Sequence, residues 1–582
     1  MGPRFRRFGS RSVELVTSCD PSQCLIAATF VVILARIATV ILGDYVANGD
    51  IAVIELRVRD VFSPGVQLGA FSRFGWSHPG PLLYWVFAPF YELFGERSVA
   101  LQVVAGLIAI GSVVGIASTV KKVLGSALVV AVIPLVLLVA SLGGEFWVSP
   151  WNPDVPLLPF AWLVALLWAL ASGTRQPLWL IVFLASFIVQ AHVGFVLPVF
   201  TMLIAGVGFQ LLVRDPSDSK QRFSRTDFLL AFTVGLIAWL PPLVEHFREG
   251  SEGNISKMFE FFTGRHNPRG TAFGLRMMSN EFGIAGSWWR GIGESHAFTG
   301  DVVRAHTYAA PVVLIGLVGV AVVAIREGDR VVQAGVALAS SLTFAAVIAV
   351  GSIEGYLYNY LVRWVAVVGW WTVTIIVVGA ARWIDRNFEL REIEGIPRNI
   401  QRLSKSVAAL VVCAVVLGPA VVRGISNPVN ADTFDRFVPR IAESLIEYDG
   451  SVLPRVIIGQ GSLEAELVSK GLLLELEKRG MNVFAIPDEG YIVGDHRTYA
   501  DGDGYELVIN VATDTASIHP AEGAEVVVRL DELKPAERVK CDVWTALVTQ
   551  LLVGGKSVDE ATLGQKPKCG KLIIVSRRDP VH

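Results

Sequence analysis

Apolar runs recur along the chain at 23–43, 99–119, 123–142, 154–172, 177–191, 193–213, 228–245, 307–325, 331–351, 361–381 and 405–424. A helix needs roughly 20 such residues to cross a hydrocarbon core of about 30 Å, so each is expected to span a membrane. The segment 79–95 is apolar too, and charge decides its placement. The basic connectors Lys121-Lys122, Arg175, 214–225, Arg326/Arg330 and 382–404 fall on one side only if 79–95 does not cross. It is expected to be a juxtamembrane or re-entrant helix, as its prolines and its apolar length of about 16 residues also favour. That leaves eleven spans, the N-terminus cytoplasmic and the chain after 424 outside.

Beyond 425 the periodicity changes. RVIIGQ, NVFAIP, ELVINVA, EVVVRL and KLIIVSR are short β-branched runs, and 462–479 is an amphipathic helical pattern. Strands alternating with helix predict an α/β domain at 425–582, after a cytoplasmic 1–22 and a membrane domain at 23–424. This last domain holds neither GxGxxG nor GxxxxGK[ST], so it carries no nucleotide-site signal.

Composition agrees. The 582 residues are 53% hydrophobic and 18% charged, with a mean hydropathy of +0.53, which reads as a polytopic α-helical membrane protein. A net charge of −2 gives no bulk attraction to nucleic acid. Five cysteines are too few for a disulfide framework. Cys541 and Cys569 are the one plausible pair if their domain faces an oxidising compartment.

The expected sidedness collects the unusual residues on the outer face, in loops 44–98, 143–153, 246–306 and 352–360. The first is too long and too polar for a connector, and long loops in compact proteins are usually functional. In it, Asp50 follows Asn48-Gly49 and opens a helical run, where a simple helix cap is the plain alternative. Glu55 and Asp60 read as solvated or paired with Arg57 and Arg59. Asp154, in Pro150-Trp151-Asn152-Pro153-Asp154-Val155-Pro156, opens a span; a carboxylate there faces a cavity, a partner or a metal, or else caps the helix. Arg73, His78, Lys257 and Arg265 are candidates to hold a phosphate, a guanidinium bidentately and an imidazolium or ammonium as a point charge. His192 and the Glu245-His246 pair are further outer-face polar groups. Arg363, in Tyr358-Asn359-Tyr360-Leu361-Val362-Arg363-Trp364, either joins the site or snorkels to headgroups. His78, His192 and His246 with Asp50 and Asp154 are the set a divalent cation (magnesium, manganese or calcium) would take, although no HExxH-type spacing supports it.

The order of these features resembles the GT-C superfamily of polyprenyl-phosphate-sugar glycosyltransferases, which includes protein O-mannosyl-, aminoarabinose and arabinofuranosyl transferases. The shared pattern is an acidic residue after the first span, a juxtamembrane Lys/His-Pro-Pro-Leu segment ending in Leu-Phe-Gly, and an Asp opening a later span. The counterparts are Asp50, then His78-Pro79-Gly80-Pro81-Leu82-Leu83-Tyr84-Trp85 ending in Leu93-Phe94-Gly95, and Asp154. The match covers roughly 23–172. Ile51 stands where the family commonly has Glu, and Gly80 replaces a proline.

The resemblance implies a plasma-membrane enzyme that moves a sugar from polyprenyl phosphate to an extracytoplasmic glycan or glycoconjugate. Alanine- and valine-rich spans with abundant arginine hint at a high-GC actinobacterium and make arabinofuranose or mannose the first donors to consider. Asp50 would be the general base. Arg73, His78, Lys257, Arg265 and Arg363 would hold the leaving phosphate, and Asp154 would orient the acceptor or bind the cation with Asp50. Trp76, Trp151, His192, Glu245, His246 and Tyr358 would line the substrate. A flippase for lipid-linked sugars and a structural partner in envelope assembly are the alternative readings.

Overall fold

The computed structural model describes residues 20–387 apart from 44, 214–222, 265–266, 284–285, 292–309 and 356. After that it describes 437–449, 456–460, 463–498, strands at 507–512, 525–531 and 572–578, and a few positions between 534 and 543. The chain divides into two compact units, one of 1–43, 65–95 and 100–428, the other of 44–64, 96–99 and 429–582.

The first unit is a helical bundle and the chain is a multi-pass membrane protein. Among the described residues, seven helices are long and apolar enough to cross a membrane: Pro21–Ile41, Val99–Leu124, Val193–Val213, Arg225–Glu252, Ala310–Glu327, Arg330–Gly351 and Val365–Asn387. Three further expected spans appear as shorter apolar helices, Leu128–Leu142, Leu157–Ala171 and Leu178–Ala191. Of these, Leu157–Ala171 is wrapped almost wholly by protein. A helix enclosed by its neighbours need not match the lipid thickness that sets the usual length. The expected span at 405–424 lies outside the described residues. The 79–95 segment forms Leu82–Leu93, 12 residues, or about 18 Å at helical rise, too short to span. Close approach is bought with small residues: a Cβ on Gly115 would fall 2.2 Å from the Trp162 ring.

In the second unit all five expected strands form: β1 (Val456–Gln460), β2 (Val483–Ala485), β3 (Leu507–Ala512), β4 (Glu525–Asp531) and β5 (Leu572–Arg578). The sheet order is β2-β1-β3-β5-β4, with β1 parallel to β2 and β3, and β5 antiparallel to β3 and β4. Helix Leu463–Lys478 packs on this sheet, and helix Gly49–Arg59 packs on Leu463–Lys478. Residues 44–64 and 96–99, which the expected boundary at 424 leaves in the membrane domain, cluster by packing with the C-terminal domain. Ala52, Val53, Ile54, Leu56 and Val58 of Gly49–Arg59 are all buried. Cys541 and Cys569 lie outside the described residues.

Charged groups bind this second unit together. Glu55 has no exposed surface, so it is not the solvated residue expected, and its cation is Lys478. Asp60 pairs with Arg57 at 3.1 Å, as expected, but also with Arg497 at 2.7 Å and His496 at 3.3 Å. Burial alone would raise the Asp60 pKa. Hydrogen bonds from His496 and Arg497, with the charges of Arg497 and Arg57, outweigh it and hold the group below its ordinary value. Glu477 is likewise lowered against burial by Arg497 and Arg59. A carboxylate whose folded pKa is depressed contributes stability that is complete above its unfolded pKa and is lost as pH falls through the folded one. The melting temperature should therefore hold down to about pH 5 and drop below about pH 4. Asp60→Asn should melt lower at neutral pH and show a shallower acid drop; parallel acid profiles for both proteins would refute the assignment.

Candidate active site

Loop 65–81 is locked into the bundle by one glutamine. Pro242, inside helix Arg225–Glu249, has no N–H to give to the Ala238 carbonyl four residues back. Gln190 fills that gap: its Nε2 donates to Ala238 O at 2.8 Å, while its Oε1 accepts from Leu82 N, at the start of helix Leu82–Leu93, at 3.3 Å. Gln190 is fully buried, and a Cβ on Gly80 would lie 2.4 Å from its Oε1. Glycine at position 80 is thus a packing requirement set by Gln190. Asn254 clamps the same loop from helix Asn254–Thr263, accepting from Ser77 N at 2.7 Å and donating to Ser77 O at 2.8 Å. Its own backbone N–H donates to Glu245 Oε1 at 2.9 Å.

On this frame the side chains close into a ring. Arg73 lies over Phe74 at 4.8 Å and over Tyr358 at 4.5 Å. Phe74 is followed by Trp76 at 6.4 Å, Trp76 by His78 at 5.6 Å, and His78 by His192 at 4.7 Å between ring centroids. His192 meets Tyr360 edge-on at 6.2 Å, and Tyr360 stacks on Tyr358 at 5.6 Å, back to Arg73. Trp151 joins through Tyr360 at 4.9 Å, with Arg363 over its ring at 5.8 Å. Loops separated by up to some 290 positions thus bring Arg73, Trp76, His78, Trp151, Asp154, His192, Tyr358 and Arg363 into one cluster.

Asp154 does not cap the helix, whose N-cap is Pro156. It forms an ion pair with Arg363 and accepts from Ser149 Oγ at 2.8 Å. Arg363 accordingly does not snorkel. Its guanidinium is anchored at one end, and its Nε–H is buried without a hydrogen-bond partner. The Trp76 Nε1–H is buried and unpartnered as well. Two orphaned donors beside aromatic faces are the arrangement a phosphate-bearing sugar would satisfy.

The histidines differ from the imidazolium expected of His78. His78 Nδ1 accepts from Val193 N and His192 Nδ1 from Gly194 N, each at 3.1 Å. A backbone N–H can only donate, so both rings are neutral with the proton on Nε2. Burial lowers the His78 pKa, with the neighbouring His192 adding to it, and burial holds His192 at about 4. His78 therefore offers an N–H and no charge.

Lys257, Glu245 and His246 are not members of that ring. Lys257 is exposed on helix Asn254–Thr263, and Arg265 lies outside the described residues. Glu245 Oε2 and His246 Nδ1, in the last turn of Arg225–Glu249, are buried without partners. Asp50 belongs to the second unit, in the first turn of Gly49–Arg59. The N-cap there is Asn48, so Asp50 is not the capping residue. Gly49 has φ +48°, and its Cβ would meet Leu467 at 2.6 Å, so both conformation and packing demand glycine before Asp50. Among the described residues no three His, Cys, Asp or Glu come together to hold a metal ion. Asp154, one of the two carboxylates expected to hold a cation, pairs with Arg363. Tyr360 and Gln190 carry more of the site than the sequence reading allotted them; a lone glutamine ending an apolar run was the available signal.

Residues 77–244 match the family model described as dolichyl-phosphate-mannose-protein mannosyltransferase. Among solved structures the chain is similar to ArnT from Cupriavidus metallidurans in the apo state, at 15% identity and a TM-score of 0.50, over 86% of this chain and 95% of that one. The chain has the GT-C glycosyltransferase fold. Family match and fold together mark it as a membrane glycosyltransferase. ArnT from the same organism bound to undecaprenyl phosphate aligns at 13% identity with a TM-score of 0.49, over 95% of this chain and 97% of that one. No curated protein matches the sequence. In this GT-C chain the matched segment includes His78, Trp151, Asp154, Gln190 and His192. Arg73, Phe74, Trp76, Tyr358, Tyr360 and Arg363 complete the ring from outside it.

Proposed function

We propose that the protein transfers a sugar from polyprenyl phosphate to an extracytoplasmic glycan or glycoconjugate at the plasma membrane, with arabinofuranose or mannose as the first donors to test. The observation that carries this reading is Arg363, a half-buried guanidinium fixed by Asp154, with a buried and unpartnered Nε–H, beside Trp151. Guanidinium suits a phosphodiester, and aromatic faces suit a sugar ring. In the reaction the acceptor hydroxyl oxygen forms a bond to the anomeric carbon as the bond from that carbon to the phosphate oxygen breaks. The electron pair of the broken bond stays on the phosphate, which gains a charge that Arg363 and Arg73 offset. The hydroxyl proton passes to the carboxylate of Asp50, assigned as general base. Asp154 holds Arg363 in place. Trp76 and His78 offer N–H groups to the donor, and Glu245 and His246 offer acceptor atoms to the incoming hydroxyls.

Purified protein with polyprenyl-phosphoryl arabinofuranose or mannose should release the lipid phosphate, faster with a glycan acceptor and with that acceptor lengthened by a residue. Absence of release from either donor, with lipid-linked sugar crossing reconstituted vesicles, would make the protein a carrier instead.

A further inference from the structure

Helix Gly49–Arg59 is attached to the C-terminal domain at two points on different faces. Glu55 and residue 60 are five positions apart, which is about 140° around a helix and about 7.5 Å along it. At the first point Glu55 meets Lys478, and Ser98 bridges them, accepting from Lys478 Nζ at 2.8 Å and donating to Glu55 Oε1 at 3.0 Å. At the second, Arg497 spans Asp60 at 2.7 Å and Glu477, with Nη2 to Glu477 Oε1 at 3.0 Å, and Arg59 reaches the same Glu477 at 3.2 Å. Lys478 and Arg497 come from the C-terminal domain, and Arg57 and Arg59 from the helix itself.

Buried ion pairs add little net stability compared with apolar packing, and their best-attested use is to specify one arrangement among several. Here the apolar packing of Gly49–Arg59 on helix Leu463–Lys478 would by itself tolerate rotation and sliding, as apolar contacts do. Two charge clusters on separate faces remove both freedoms. Asp50 stands five residues before Glu55 on the same rigid helix, so its side-chain position is set by whatever holds Glu55 and Asp60.

We propose that the C-terminal α/β domain is the positioning device for the helix that carries Asp50, acting through Lys478 and Arg497, neither of which touches substrate. This rests on the reading of Asp50 as the base. A displacement of about 1 Å in a catalytic group costs on the order of a hundredfold in rate, so the effect falls on turnover and spares donor affinity.

The test uses the full-length protein with three variants: Lys478→Met, Arg497→Gln, and the exchanged pair Glu55→Lys with Lys478→Glu. Each is assayed for kcat and donor KM with the polyprenyl-phosphate sugar. In parallel, Val53→Cys, at a position that is 1% exposed, is placed in each background, and labelling of that peptide by a soluble thiol reagent is followed by mass. Expected are a fall in kcat of about 10- to 100-fold for each single variant, donor KM within about twofold, faster labelling of position 53, and recovery of both readouts in the exchanged pair. Unchanged kcat in both single variants overturns the proposal, and so does lost kcat with position 53 still protected. If Asp50→Ala turns over as the parent does, the base assignment falls, while the labelling of position 53 still reports whether Lys478 and Arg497 hold the helix.

Discussion

Asp50→Asn should lower turnover by about 10²- to 10⁴-fold, the usual worth of a positioned general base, while donor KM and the melting temperature stay near those of the parent. Asparagine keeps the size and hydrogen-bonding reach of the side chain but accepts no proton at neutral pH. The local fold should tolerate it. Asn48 is the cap, Gly49 supplies the positive φ, and the packed face of the helix is made by other residues. A carboxylate in the first turn is favoured by the helix dipole by only about 0.3–1 kcal/mol, too little to unfold a domain. A large loss of kcat without loss of stability therefore means chemistry. Asp50→Glu, which keeps the base and lengthens the arm, should retain partial activity. Full activity in Asp50→Asn would remove the base from this residue.

Arg363→Ala has the second large effect, and it falls on two measurements at once. Truncation leaves Asp154 charged, 7% exposed and without its partner, a situation that costs about 3–5 kcal/mol when one half of a buried pair is removed. It also takes away the donor proposed for the leaving phosphate, worth about 10²- to 10³-fold in turnover where a preorganised donor faces developing charge. The two losses separate in the double variant Arg363→Ala with Asp154→Asn. Neutralising the orphaned carboxylate should restore much of the melting temperature and none of the activity. Arg363→Lys should fall between, because an ammonium keeps the charge but cannot grip Asp154 and present a second N–H in one plane. Recovery of activity along with stability in the double variant would make Arg363 a structural residue only.

Much of this architecture is written in local pattern. The strands of the C-terminal sheet follow from β-branched runs, and the helix at Leu463–Lys478 from its period, because both signals reside within a few consecutive residues. Ten of the eleven expected spans coincide with described helices, and the segment 79–95, read as non-spanning from the charge asymmetry of the connectors, holds a helix of 12 residues. Asp50, His78 and Asp154 stood out because a polar residue beside a span needs a reason.

The partners of those residues were not legible. Nothing around Glu55 or Asp60 points to Lys478 or Arg497, which follow some 420 and 437 positions later; the nearer Arg57 and Arg59 were the only candidates in view. Nor does any local signal say that Gln190 completes the backbone bonding that Pro242 breaks, or that Gly80 must be small for Gln190's sake. The charge of His78 was misjudged for the same reason: its tautomer is dictated by a backbone N–H at Val193, 115 residues away. The sequence by itself determined the elements, their membrane character and which polar residues are out of place, because periodicity and hydropathy are properties of neighbouring residues. Tertiary structure alone decided which charge answers which, because ion pairing and packing depend on distance in space, and the loops that meet in the ring are separated by whole helices in the chain.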